Sequence, residues 1–401
     1  MKVGILAHDF INWGGGVDYL RLVMDSLLAS PRSEPVEIHL LIPDSGPRLA
    51  WRRLRGRARQ TVKSLASGKR VALSGAPSAD IVAHAFSEFR GRIASHHIDV
   101  GHGALKRAAH RLGLAAVFPA VHTLGPGFPF PWLGYAYDFQ HRYLPENFSP
   151  RDCQSRDEHF SDLFTDARAV IVNSRTAAGD VARFVPEATA RVFTLPLAPS
   201  PDADWLEEKP EVLSRYKLVA PYFLISNQFW AHKEHQTAFE AFRDVAEENR
   251  DVVLICTGST QGARDPGYFS GLMAKLKSWG LEERVRILGL IPKRDQIEIM
   301  KQALAVVQPT RFEGAAGGGS VHDAISLGVP SIVSDLPVNL EADGNGVVFF
   351  PVGNARALAA CMRKQLALPR TKIPRQELLA LGRRRRAAAG AVLWDAIDYV
   401  R

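Results

Sequence analysis

Four segments of the sequence carry residue types and spacings suited to chemistry on a phosphorylated or hydroxylated ligand. The richest runs Pro309-Thr310-Arg311-Phe312-Glu313-Gly314-Ala315-Ala316-Gly317-Gly318-Gly319-Ser320-Val321-His322-Asp323-Ala324. An apolar strand ends there, a glycine-rich loop carries one carboxylate, and a helix begins. A helix start presents free N–H groups and the positive end of the helix dipole, so it is suited to an anion. Ser320 and Asp323 have the spacing of a capping box, and Gly328 with Pro330 stops the helix. Asp323 is therefore expected either to cap its helix or to meet a ligand. Glu313 has little structural reason to be acidic on such a loop, which favours a ligand role.

The second segment is Ser226-Asn227-Gln228-Phe229-Trp230-Ala231-His232-Lys233-Glu234-His235. It follows a strand and leads into a helix, where Lys233 could hold a diphosphate as a point charge or stand as an exposed loop lysine. The third, Tyr137-Asp138-Phe139-Gln140-His141-Arg142-Tyr143-Leu144-Pro145-Glu146, also follows a strand. Asp138 and His141 are expected to face a cleft from it. The fourth, Gly14-Gly15-Gly16, lies between a first strand and a helix and lets the backbone approach a phosphate or sugar. Tyr19 occupies the third glycine position of G-x-G-x-x-G, so the dinucleotide fingerprint is not met. Asp202-Ala203-Asp204 mimics a metal-binding carboxylate pair but lies in a proline-rich stretch. The 13 histidines include no H-E-x-x-H, and no catalytic metal is expected.

The elements that must position these residues alternate between short apolar runs and longer amphipathic ones. Strands are expected at Lys2–His8, Val36–Pro43, Ile98–Gly101, Ala115–Ala120, Leu133–Tyr137, Ala169–Asn173 and Val192–Leu195. A second series is expected at Tyr222–Ser226, Val252–Thr257, Val285–Leu288, Ala305–Gln308, Ser331–Ser334 and Val347–Phe350. Helices are expected near His235–Glu248, Tyr268–Gly280, Arg294–Ala303, Val321–Leu327, Ala355–Leu366 and Ala387–Val400. The alternation implies an α/β fold of parallel sheets covered by helices on both faces. Prolines at 196, 199 and 201 place a linker between two doubly wound domains, with ligands at the carboxyl ends of the strands and a cleft where the domains face. The expected boundaries are residues 1–198, 199–385 and a last helix in 386–401 that crosses back. Arg383–Arg386 reads as a solvated basic run before that helix.

The 401 residues are 46% hydrophobic and 23% charged, which excludes a disordered or collagen-like chain. Three widely spaced cysteines exclude a disulfide framework and suit a reducing cytoplasm. The first apolar run is too short for a signal peptide, and no run is long enough to span a membrane. A net charge of +8 favours anionic partners. Nine basic and no acidic residues fall between Arg48 and Arg70. Trp51, Leu54, Ala58, Val62 and Leu65 recur there at helical spacing, which suits an anionic membrane surface or, alternatively, a solvated helix face. Nucleic acid is not expected as a partner, since it would leave the glycine loops unexplained.

Taken together, the segments resemble the family 4 glycosyltransferases of the GT-B fold, two facing Rossmann-like domains with an inter-domain cleft. Glu313-Gly314 followed by Asp323-Ala324-Ile325-Ser326-Leu327-Gly328-Val329-Pro330 is similar to the family's nucleotide-sugar motif. That motif has two glutamates eight positions apart; here the acids are ten apart and the second is an aspartate. Tyr137–Ser149 resembles a stretch found in a bacterial polysaccharide and lipopolysaccharide branch. The resemblance implies retaining transfer of a hexose from a GDP- or UDP-type sugar to a glycan or lipid-linked acceptor, with no separate cofactor. It implies Lys233 on the diphosphate, with Asn227 and Gln228 bordering it where the family often has an arginine. It implies Gly317, Gly318, Gly319, Ser320 and Val321 at the phosphates, Glu313 on the donor sugar and Asp323 on the ribose. Gly289 and Ile291 would meet the base, Gly15 and Gly16 would close from the first domain, and Asp138 and His141 would face donor sugar or acceptor. A nucleotide-sugar epimerase or a non-catalytic nucleotide-sugar-binding protein of the same fold is the alternative.

Overall fold

A computed structural model describes residues 1–11, 14–43, 86–99, 101–219, 221–261, 265, 267–369 and 371–401. The basic stretch from Arg48 to Arg70 lies outside the described residues.

The first sheet has seven parallel strands in the order β3-β2-β1-β4-β5-β6-β7. They are β1 (Lys2–Leu6), β2 (Glu37–Pro43), β3 (Ala94–Ile98), β4 (Ala116–Ala120), β5 (Trp132–Ala136), β6 (Ala169–Val172) and β7 (Arg191–Thr194). Helices α1 (Gly14–Ala29), α2 (His102–Leu112), α3 (Pro150–Asp166) and α4 (Arg175–Phe184) accompany them. The second sheet is also parallel, in the order β10-β9-β8-β11-β12-β13. Its strands are β8 (Tyr222–Ser226), β9 (Val253–Thr257), β10 (Val285–Gly289), β11 (Val306–Gln308), β12 (Ser331–Ser334) and β13 (Val347–Phe350). Around it lie α5 (Pro210–Arg215), α6 (His235–Glu248), α7 (Tyr268–Ser278), α8 (Lys293–Gln302), α9 (Gly318–Leu327) and α10 (Ala355–Ala367), and the chain ends in α11 (Arg375–Val400).

Strands covered on both faces read as unbroken apolar runs. Thus β4, β5 and β6 are buried at every residue. Helix ends follow local chemistry: Ser149 and Ser174 accept the amides of Asp152 and Ala177 to cap α3 and α4. Gly113 and Gly328 close α2 and α9 in the left-handed conformation.

Two elements depart from expectation. The strand expected at Ile98–Gly101 lies earlier, as Ala94-Ser95-His96-His97-Ile98, and α2 already begins at His102. β3 is an edge strand with no fully buried residue, so no apolar run marked it. The last helix begins at Arg375 and not at Ala387, so Arg383–Arg386 lies within it.

Small residues explain that length. A Cβ on Gly382 would stand 2.4 Å from Ser200 Oγ, and one on Gly390 would stand 2.0 Å from the Ser26 carbonyl oxygen. The glycines let α11 lie directly against the inter-domain connection and then against α1. Beyond them Leu393, Trp394 and Ile397 enter the core of the first domain. Each such burial contributes roughly 1.5–3 kcal/mol, so α11 ties the chain's end to its beginning.

Candidate active site

Each sheet reverses its strand order beside its first strand, between β1 and β4 and between β8 and β11. In open parallel sheets the crevice at such a point, beyond the carboxyl ends of the strands, is where ligands bind. Here the two crevices contribute to one inter-domain cavity of about 530 Å³. Gly15, Asp138, Glu313, Gly318, Gly319 and Asp323 line it.

Glu313 follows β11. Its Oε1 accepts hydrogen bonds from Lys233 Nζ at 2.6 Å and Gln308 Nε2 at 2.7 Å. Lys233 comes from a short turn ahead of α6, so β8 and β11 bring the two together. The Glu313 and Lys233 side chains are only 8% and 14% exposed, which strengthens their attraction relative to a surface pair. Gln308 Oε1 accepts from Asn227 Nδ2 and Ser320 Oγ, so three buried side chains fix the carboxylate from behind.

The loop between Glu313 and α9 requires glycine. Gly317 and Gly318 have φ of +70° and +65°, where L side chains are strained. A Cβ on Gly318 would stand 2.8 Å from Glu313 Oε2, and one on Gly317 would meet Val321 Cβ at 2.6 Å. The Gly317 amide is held by Asn339 Oδ1 at 3.0 Å.

This differs from a capping box. Helix α9 begins at Gly318, so Ser320 and Asp323 fall inside it and neither caps it. The Asp323 carboxylate is instead ion-paired with Lys293 of α8. Burial pushes its carboxyl above the usual range, against the pull of Lys293. Gly289 ends β10, and Ile291 lies in the turn that leads from it into that helix.

Other expected residues fall elsewhere. Val321 is fully buried in the core beneath α9. Asn227 is buried and spent on Gln308, and Gln228 Oε1 accepts the Ser259 amide at 2.9 Å, so both support the loops and do not line the cavity. Gly14-Gly15-Gly16 is not a free loop but the first turn of α1; Gly15 faces the cavity and Gly16 is buried. Asp138 does line the cavity. Its Oδ1 accepts the Gln140 amide at 3.0 Å and Arg156 Nη2 at 3.3 Å.

His141 corrects the expectation of a cleft histidine. Its side chain is buried among Phe139, Phe148 and Phe160, with Nε2 2.8 Å from Asp157 Oδ1. Burial lowers its pKa while Asp157 opposes the shift. The ring is a structural post for the segment that carries Asp138.

Residues 215–379 match the family described as Glycosyl transferases group 1. That stretch makes up most of the carboxyl-terminal domain. The two facing parallel-sheet domains form the GT-B glycosyltransferase fold, and solved structures similar to this chain extend that likeness over nearly its full length. Sucrose-phosphate synthase of Thermosynechococcus elongatus is 14% identical, covers 99% of this chain and 96% of its own, and has a TM-score of 0.61. HepE of Anabaena, solved in complex with UDP and glucose, is 14% identical, with coverages of 98% and 95% and a TM-score of 0.57. WaaG, a glycosyltransferase involved in lipopolysaccharide biosynthesis, is 13% identical, with coverages of 100% and 99% and a TM-score of 0.54. No curated protein sequence matches significantly. No helix among the described residues is long and apolar enough to cross a membrane.

In this fold, several residues in or behind the cavity wall escape sequence reasoning because only tertiary contacts place them there. Lys293 reaches Asp323 from another helix. Arg386, expected on a solvated face, lines the cavity; its Nε and Nη1 are shielded and have no hydrogen-bond partner. Burial lowers its pKa, opposed by the charges of Asp25, Asp202 and Asp18. His322, between Arg386 and Lys293, is pushed down to about 3 by burial and by those cations, and stays neutral. Tyr19, Tyr135 and Asn173 form part of the first-domain wall. Tyr19, one helical turn beyond Gly15, shows in the sequence only as the residue that breaks the glycine pattern.

Proposed function

We propose that the protein is a retaining glycosyltransferase that moves a hexose from a nucleotide diphosphate sugar to a glycan or lipid-linked acceptor in bacterial surface polysaccharide synthesis. The observation that carries this reading is the Lys233–Glu313 pair, whose carboxylate lines the inter-domain cavity beside the glycine-rich start of α9. As the glycosidic bond to the diphosphate breaks, negative charge grows on the leaving oxygens. A preorganised cation and a helix N-terminus stabilise that charge in place. Glu313, released from Lys233, then accepts hydroxyls of the sugar. Asp323 takes the ribose, and Asp138 faces the transferred sugar from the other domain.

Lys233 and the helix start supply the neutralisation that a metal supplies elsewhere, so turnover should survive chelation. Domain closure would keep water from the donor. The solved complex of HepE with UDP and glucose supports a nucleotide-sugar donor for this fold, and the involvement of WaaG in lipopolysaccharide biosynthesis supports a surface-glycan acceptor. The basic stretch from Arg48 to Arg70 would hold the enzyme at an anionic membrane.

The test is thermal unfolding with UDP, GDP, dTDP, ADP, CMP and NAD. A ligand at 100 times its dissociation constant stabilises by about 2.7 kcal/mol. A shift with one nucleoside diphosphate names the donor class. A shift with NAD alone, or with none, overturns the transferase reading.

A further inference from the structure

The segment that follows β12 takes hold of two parts of the molecule at once, through a single 3-10 turn, Asn339–Glu341. At its first residue the turn grips the glycine-rich loop. Asn339 is fully buried, and its Oδ1 accepts the Gly317 amide at 3.0 Å. Its Nδ2 donates to the Ser334 carbonyl at 2.9 Å and to Ser334 Oγ at 3.2 Å. Ser334 Oγ in turn donates to the Thr310 carbonyl at 2.6 Å. Thr310 and Gly317 bracket the loop that carries Glu313, so this segment pins both sides of it. The Asn339 amide makes all of these bonds in the interior, and turning it away would strand buried polar atoms.

At its last residue the same turn grips the other domain. Glu341 accepts the Arg175 and Thr176 amides and the Thr176 hydroxyl at the start of α4. Leu340, the residue between the two grips, is 54% exposed. Backbone bonds stiffen the turn: the Glu341 amide donates to the Val338 carbonyl at 3.2 Å and the Ala342 amide to the Asn339 carbonyl at 2.9 Å. Neither Asn339 nor Glu341 lines the inter-domain cavity, whereas Gly318 and Gly319, which follow the gripped amide, do.

A short, internally bonded turn passes a displacement at one end to the other. While Glu341 holds α4, Asn339 is held as well, and the loop is set in the form that faces the cavity. When the domains part, water takes the place of α4 at Glu341 and the loop loses that support. Two events that bias one rigid element favour each other by equal factors. A ligand that settles the loop therefore favours closure, and closure favours the ligand.

We infer that the Asn339–Glu341 turn couples occupation of the glycine-rich loop to closure of the cleft, with Asn339 and Glu341 as positioning residues outside the cavity. The identity of the ligand as a nucleoside diphosphate rests on the transferase reading; the link between loop and closure does not.

Contact alone does not establish coupling, so the test perturbs one end of the turn and reads the other. Amide-resolved hydrogen exchange is measured on the full chain without ligand. Glu341→Ala should speed exchange of the Gly317 amide about tenfold, the worth of one hydrogen bond. Gly317 is buried and does not line the cavity, so opening the cleft does not by itself expose it. The Val329 amide, bonded to the Ala324 carbonyl at the far end of α9, should keep its rate. Glu341→Gln, which keeps an acceptor oxygen, should restore part of the Gly317 protection. An unchanged Gly317 rate, or equal acceleration of Gly317 and Val329, overturns the link. Calorimetry with UDP and with GDP reads the opposite direction. Whichever nucleotide binds the wild type should bind Glu341→Ala about fivefold more weakly, the lower end of usual coupling between sites. In an Asn339→Ser background, whose side chain is too short for Gly317, the same change should cost less than about twofold. Equal losses in both backgrounds overturn the link, and if Asn339→Ser does not fold, the exchange result decides. If Gly317 responds but neither nucleotide binds, the transferase reading fails and the link stands.

Discussion

Replacing Glu341 by alanine should loosen the cleft. Glu341 belongs to the second domain, but its carboxylate accepts three hydrogen bonds from the start of α4 in the first. They come from the Arg175 amide at 2.9 Å, the Thr176 amide at 2.7 Å and Thr176 Oγ1 at 2.7 Å. The Arg175 guanidinium, 3.6 Å away, is 79% exposed and adds little. Glu341 itself is 15% exposed, so water competes weakly with the amides. A carboxylate at a helix N-terminus contributes up to about 2 kcal/mol in a partly buried setting. When the domains part, water replaces all three partners, so this lower figure suits the difference between closed and open forms better than a sum of three bonds. At about 1.4 kcal/mol per tenfold, the closed-to-open ratio should fall roughly 30-fold. Small-angle X-ray scattering should give Glu341→Ala a larger radius of gyration than wild type without nucleotide. The KM for the donor should rise, with a smaller change for Glu341→Gln, which keeps an acceptor oxygen without the charge. Identical scattering and identical KM in wild type and Glu341→Ala would refute the argument.

Gly314→Ala should part the domains by a different route. The new Cβ would stand 2.9 Å from the Tyr137 carbonyl oxygen and 3.0 Å from Asp138 Cβ. Donor KM should rise while thermal stability changes little, and an unchanged KM would show that the contact yields. Lys233→Met should cut nucleotide release by about 10²–10³, the usual cost of losing a fixed transition-state electrostatic contact. Chemical unfolding of Lys233→Met, Glu313→Gln and the double variant should show the pair losing less together than the sum of its parts. Strict additivity would mean that the two groups do not support one another. His235 is fully buried against Phe229, both its ring nitrogens lack partners, and burial pushes it from the ordinary 6.5 down to about 3. The unfolded chain takes up a proton that the native ring refuses. Its contribution is therefore complete above pH 6.5 and falls toward pH 3, by up to about 1.4 kcal/mol per pH unit. His235→Phe should gain stability relative to wild type in urea unfolding at pH 5 compared with pH 7. Parallel loss in both proteins would refute this.

The alternation of elements was legible because parallel strands covered on both faces must be apolar throughout. Ser331–Ser334, buried at every residue, falls where the apolar run places it. The pattern fails where burial is one-sided or where small residues replace large ones. β3 is an exposed edge built from Ala-Ser-His-His-Ile. The first half of α11 packs through Gly382, whose use is visible only from the Ser200 beside it. Motif spacing has the same limit. Ser320 and Asp323 fit a capping box only if α9 begins at Val321. The consecutive left-handed residues Gly317 and Gly318 instead let the helix start at Gly318.

The Lys233–Glu313 pair shows most clearly what residue types leave out. Each residue has a ligand role when considered alone, one as a cation for phosphate and the other as a carboxylate for hydroxyls. The structure turns them toward each other, so each satisfies the other before any ligand arrives. A diphosphate that recruits Lys233 must take it from Glu313, and only then is that carboxylate free for sugar hydroxyls. The two halves of a nucleotide sugar are thereby coupled: a bare sugar finds Glu313 neutralised, and a bare nucleotide that draws Lys233 away leaves a buried carboxylate unpaired. Binding should therefore favour the whole donor over the sum of its fragments. Comparing the affinities of UDP, glucose and UDP-glucose, or of the corresponding set for whichever nucleoside diphosphate stabilises the protein, measures that coupling. It should shrink in Glu313→Gln, where Lys233 is no longer charge-paired at rest, and equal coupling in both proteins would refute the argument.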